Sequence, residues 1–89
     1  MKIVYKYPLN GPHPKIEIPS GAQLLDVQMQ PDDQIVLWAL CDPMDKRTVL
    51  REFAAINTGV SFMLPGDMFR YIATVRSSNN IVWHIFEVQ

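Results

Sequence analysis

Apolar and polar residues alternate along most of this chain with the two-residue period of strands. In residues 2–7, Ile3, Tyr5 and Tyr7 fall on one side and Lys2, Val4 and Lys6 on the other. Residues 15–18 make a short strand ended by Pro19-Ser-Gly-Ala22, and residues 23–30 make a third. Residues 35–41 are nearly continuous in apolar side chains, the mark of a central strand. Residues 8–14 contain three prolines and are expected to loop, because proline has no N–H to offer a ladder. Asp42-Pro-Met-Asp45 breaks the fourth strand.

Residues 48–57 fit two periods. Val49, Leu50, Phe53, Ala54 and Ile56 share a helical face, while Glu52, Ala54 and Ile56 alternate with Arg51, Phe53 and Ala55. Strand is preferred, since one short helix would be isolated among strands. Thr58-Gly59 then turns, and Pro65-Gly-Asp67 marks a second turn or a short 3₁₀ segment.

Two hairpins are expected. Around Pro31-Asp-Asp-Gln34, counting outward sets Met29 against Val36, Val27 against Trp38 and Leu25 against Leu40. That face is assigned to the core with Trp38 as its anchor, and Asp26, Gln28, Leu37, Ala39 and Cys41 take the other. The closing hairpin joins residues 69–76 to residues 81–88 through Ser77-Ser-Asn-Asn80. Central turn residues Ser78-Asn79 or Asn79-Asn80 both pair even numbers with odd ones, so the faces come out alike. Phe69, Tyr71, Ala73, Val75, Val82, His84, Phe86 and Val88 form the face expected to be core, with His84 a satisfied core histidine. Arg70, Ile72, Thr74, Arg76, Ile81, Trp83, Ile85 and Glu87 form the other, read as a contact surface for another segment of the chain or for a partner.

Composition sharpens that picture. Eighty-nine residues make one domain, residues 1–89, which buries roughly 60–65% of its unfolded surface. Yet 48% of the residues are hydrophobic, and the lone Cys41 allows no internal disulfide. Self-association is the remaining source of cover, so a homo-oligomer is expected. Cys41 itself reads as a small buried apolar residue in a reducing compartment. The net charge of −1 and the absence of any Lys/Arg run argue against binding a nucleic acid polymer. No segment has the length of a membrane span, and Met1-Lys2 leads straight into a strand, so a cytoplasmic protein without a membrane partner is expected.

Candidate chemistry is sparse. His13, His84 and Cys41 are far apart and form no metal-ligand motif. Ser20, Ser61, Ser77 and Ser78 lack an evident base, and a Cys41–His84 pair has only its residue types in its favour. Asp32-Asp33 and Asp42 with Asp45 read as turn residues, and the four glycines form no phosphate loop. No catalytic residue, metal or cofactor is therefore assigned.

The opening Met1–Leu9 strand, Ile18-Pro-Ser-Gly-Ala22, Leu37-Trp-Ala-Leu-Cys-Asp-Pro43, Thr58-Gly59, Tyr71-Ile-Ala-Thr74 and Trp83-His-Ile-Phe-Glu87 together carry a resemblance. Over nearly its whole length the chain resembles a family of small bacteriophage and prophage proteins of unassigned activity. The resemblance implies a phage-type accessory product, present in the host cytoplasm and acting against the host or its defences.

The sequence thus points to an all-β domain, a small antiparallel sandwich or flattened barrel of about six or seven strands, with room for one short helix. Its expected function is non-enzymatic, oligomeric binding. In one reading, oligomer seams sequester a small anionic ligand such as a nucleotide signal, with Trp83, Tyr5 and Tyr7 stacking the base and Arg70 and Arg76 holding phosphate. In the other, Trp83, Ile85 and Ile72 anchor the closing hairpin on a host or defence protein, with Glu87 as a rim charge.

Overall fold

The computed structural model describes residues 1–63 and 68–89. Its regular structure is seven strands: β1 (Ile3–Leu9), β2 (Lys15–Pro19), β3 (Gln23–Met29), β4 (Ile35–Cys41), β5 (Thr48–Asn57), β6 (Phe69–Arg76) and β7 (Val82–Val88). All pairings are antiparallel. One sheet has the order β1-β4-β3 and the other β2-β5-β7-β6. They form an open sandwich, not a closed barrel, with extents of 42 × 33 × 16 Å. Among the described residues there is no helix, and so none that could cross a membrane.

Residues 48–57 are a strand, as preferred. β5 lies between β2 and β7, and Phe53, Ala54, Ala55 and Ile56 are all buried. Apolar residues on both faces of an interior strand imitate a helical stripe in sequence. β4 is central in its sheet, as its continuous apolar run predicts. β1 runs on through Pro8, which had been expected to loop; Pro8 is tolerated because β1 is an edge strand. The turn expected at Pro65-Gly-Asp67 lies outside the described residues.

Both hairpin turns are one residue different from the expected count. Gln30 N–H donates to Gln34 O at 2.8 Å and Asp33 N–H to Gln30 O at 2.9 Å, closing a three-residue loop. Ser77 N–H donates to Ile81 O at 2.9 Å and Asn80 N–H to Ser77 O at 3.0 Å, closing another. The third loop residue has positive φ in each, 62° at Asp33 and 66° at Asn80. Asp and Asn are the non-glycine types that best accept this region.

The odd loop length changes the pairing parity, so like numbers pair: Met29 with Ile35 and Val27 with Leu37, then Val75 with Trp83 and Ala73 with Ile85. The buried faces assigned to β4 and β7 are therefore reversed. Ile35, Leu37, Ala39 and Cys41 face the interior, and Trp38 is half-buried on the other side of its sheet instead of anchoring the core. On β7, Trp83, Ile85 and Glu87 turn inward, while His84 and Phe86 turn outward. A bulge then interrupts the first strand of each hairpin, at Leu25 and at Ile72. The extra residue reverses the remainder of β6, sending Tyr71 and Phe69 outward and Arg70 inward.

The core joins Leu9, Val27 and Leu37 of one sheet to Phe53, Ala55, Val75 and Ile85 of the other. Full burial of a side chain such as Phe53 or Ile85 stabilises the fold by about 1.5–3 kcal/mol. Among the described residues, Glu87 is the one charged residue that is buried there. Glu87, 5% exposed, accepts two hydrogen bonds from Arg51, at 2.5 and 2.8 Å, and one from Arg70 at 3.0 Å. Arg51 also donates to Ala22 O at 3.2 Å, tying β5 to the connection that enters β3.

The two arginines are unequal partners, with Arg51 side-chain exposure at 20% and Arg70 at 55%. Glu87→Ala strands the Arg51 charge in a poorly hydrated place and is expected to cost about 3 kcal/mol in urea denaturation. Arg70→Ala removes a solvent-screened contact and is expected to cost less than about 1 kcal/mol. Equal losses in the two variants would contradict this division.

Candidate functional site

The Ile72 bulge and the inverted β7 gather aromatic side chains on the outer face of the closing hairpin. Phe86 lies at the centre, with ring centroids of Phe69 at 5.4 Å, Phe62 at 5.7 Å and Tyr71 at 5.9 Å. Phe69 and Tyr71 meet it edge-on, a favoured arrangement of aromatic quadrupoles. Phe62, Phe69 and Tyr71 are 42, 45 and 56% exposed, and Val60 beside them is 55% exposed. A shallow hollow of about 190 Å³ opens between Val60, Phe62, His84 and Phe86.

His84 borders this patch, held through both ring nitrogens. Nε2 lies 2.7 Å from Thr58 Oγ1, Nδ1 lies 3.1 Å from Thr74 Oγ1, and Tyr71 OH lies 2.7 Å from that same Thr74 oxygen. A hydroxyl beside an imidazole is the geometry of a nucleophile and its base. Here the far nitrogen meets a hydroxyl instead of a carboxylate, and the chain of contacts braces Tyr71 and the β5 end against the hairpin. His84 is thus an outer-face residue and not the core histidine expected. Cys41 is buried on the inner face of the opposite sheet, so the two do not form a pair.

A second concavity lies where the two hairpin turns meet the loop after β1. It measures about 590 Å³, with Leu9, Met29, Ile35, Ile81 and Trp83 as apolar lining and Asn10, Asp33, Gln34, Ser77 and Asn79 as polar lining. The turns are latched together: Ser78 donates to the Asp33 carboxylate through its backbone N–H at 2.8 Å and its hydroxyl at 2.7 Å. Gln34 Nε2 donates to Ile35 O at 2.9 Å and Leu9 O at 3.2 Å, fastening β1 to the start of β4.

The six residues singled out in the sequence do not form one site. Ile85 is fully buried in the core and offers a partner nothing. Trp83 packs on the core from the inner face and lines the large cleft. Arg76 is exposed on the outer face of β6, paired with Val82, and borders a separate depression beside the Asp33–Ser78 latch. Arg70 is engaged by Glu87, itself an interior residue and not a rim charge. Tyr5 and Tyr7 stand edge-on at 6.4 Å on β1, at the edge of the other sheet. Burial raises the Tyr7 pKa, and the nearby Cys41 thiol raises it further. Among the described residues, no three of His, Cys, Asp or Glu are placed to hold a metal ion.

The aromatic outer face was missed because Phe69, Tyr71 and Phe86 had been assigned to the core. An Asn or Asp at the third position of each turn was the available signal, since that residue type permits the three-residue loop that changes parity.

The latch supplies a pH test. Hydrogen bonds from the Ser78 hydroxyl and then its amide hold the Asp33 pKa below the usual carboxylate value. A depressed carboxylate favours the folded state above the unfolded pKa, and the contribution is lost as pH falls through the folded value. Ser78→Ala is therefore expected to move the Asp33 titration, followed by NMR, up toward the ordinary range. An unmoved titration would show that Ser78 does not hold the carboxylate in solution.

Comparison with known proteins adds the family. No curated protein and no solved structure matches the chain. The whole chain, residues 1–89, matches the family described as "Domain of unknown function (DUF7352)", and the protein belongs to that family.

Proposed function

We propose that the protein is a stoichiometric, non-enzymatic binding protein that assembles as a homo-oligomer through the aromatic outer face of β6 and β7. The observation that carries this reading is the cluster of exposed Phe62, Phe69 and Tyr71 around Phe86. Isolated exposed apolar residues are ordinary, but a contiguous aromatic patch is characteristic of an interface. In the second sequence-based reading the hairpin docks on a partner instead, with different anchors: Tyr71 and Phe69, flanked by Phe62 from the segment after β5, replace Trp83, Ile85 and Ile72, all three of which pack in or against the core. A host or defence protein as target, and the cytoplasm as compartment, rest on the resemblance to phage accessory proteins.

Sequestration of a small anion is the weaker alternative. It needs an aromatic platform and a cation on one ligand. Trp83 faces the interior side of the hairpin, whereas Arg76 faces its outer side. One subunit therefore does not bring the pair together.

Sedimentation velocity tests the proposal. The wild-type protein is expected to sediment as an oligomer, and the Phe69→Ser/Tyr71→Ser double variant as a monomer with an unchanged far-ultraviolet circular dichroism spectrum. A wild-type protein that stays monomeric throughout the micromolar range would overturn the homo-oligomer. An oligomer unaffected by the double variant would remove the aromatic face as its seam.

A further inference from the structure

We propose that the cleft between the two hairpin turns is a binding site for an uncharged, planar heteroaromatic ring that packs against Trp83. Its volume, about 590 Å³, is in the range of small-molecule sites. It is also a different surface from the aromatic docking face, because Trp83 and Phe86 project to opposite sides of β7.

The walls are fixed before any ligand arrives. The Asp33–Ser78 latch joins the two turns, and the Gln34 carboxamide bridges β1 and β4. A cleft held by hydrogen bonds on these elements loses little further entropy on binding.

The lining selects the ligand class. Leu9, Met29, Ile35 and Trp83 supply an apolar surface that a flat ring can cover. Among the described residues no Lys, Arg or His lines the cleft, and the one formal charge there is the Asp33 carboxylate. A phosphate or carboxylate placed there would meet a like charge and no counter-charge. The polar complement is instead neutral: the Asn10 side-chain amide offers a donor and an acceptor to a heterocycle's edge, and the Asn79 amide, whose oxygen already accepts from the Ser77 hydroxyl, offers its N–H donors.

Titration of the full-length protein by NMR with indole, quinoline and adenosine, and with AMP as the anionic counterpart of adenosine, tests the site. At least one of the three uncharged rings is expected to give saturable shifts of the Trp83 indole N–H and of the Asn10 and Asn79 side-chain amides. Trp83→Leu is expected to weaken that binding about tenfold, which corresponds to about 1.4 kcal/mol. Asn10→Ala, at an exposed loop position, keeps the fold intact should Trp83→Leu unfold, and is expected to weaken binding severalfold. AMP is expected to bind no more tightly than adenosine. Absence of saturable shifts with all three rings into the millimolar range would overturn the site. Tighter binding of AMP, lost in Arg76→Ala, would overturn the uncharged class and restore the anion reading.

Discussion

Asp33 and Asn80 hold positive φ at the third position of two three-residue loops, and the inside and outside of the sandwich follow from that. A strand alternates sides with a period of two, so one residue more or less in the turn exchanges the buried and exposed sets of the strand that follows. Leu37, Ala39 and Ile85 are buried because the loops have three residues. With an even loop, Trp38 and His84 would point to the core in their place. The latch from Ser78 to Asp33 then couples the two turns that set the two faces.

The bulges at Leu25 and Ile72 complete the arrangement. Both lie in edge strands, β3 and β6, which run beside each other along one side of the sandwich. The other two edges carry residues that discourage strand addition: Lys6 and Pro8 on β1, and Lys15, Glu17 and Pro19 on β2. A bulged, charged or proline-bearing edge resists pairing with another chain. The proposed association is therefore placed on a face and not on an edge. The same Ile72 bulge that disrupts an edge also turns Phe69 and Tyr71 outward, beside Phe86.

Glu87 shows what the inverted register demands inside. Turned into the interface, its carboxylate needs donors, and Arg51 supplies two from a position 36 residues earlier in the chain. A buried charge left unpaired would oppose the fold, so this register and the position of β5 next to β7 support each other. The pair also spans to Ala22, which links the second sheet to the entry of the first sheet's hairpin.

Local chemistry was enough to locate the elements. Period-two alternation, β-branched residues, and Pro, Gly, Asn and Asp punctuation marked the seven strands, including β5, and the burial of Cys41 followed from its apolar character. The faces of β4 and β7 were not legible, because each strand carries large apolar residues on both sides: Val36, Trp38 and Leu40 compete with Ile35, Leu37 and Ala39. Hydrophobicity cannot choose between two greasy faces; turn parity does, and parity depends on one backbone angle per loop. The ion pair of Glu87 with Arg51, the exposed ring cluster and the cleft at Trp83 belong to the same class. The ion pair and the cleft arise when strands distant in sequence are brought together, and the ring cluster when the hairpin register and its bulge are set and Phe62 packs on it, so only the packed tertiary structure decided them.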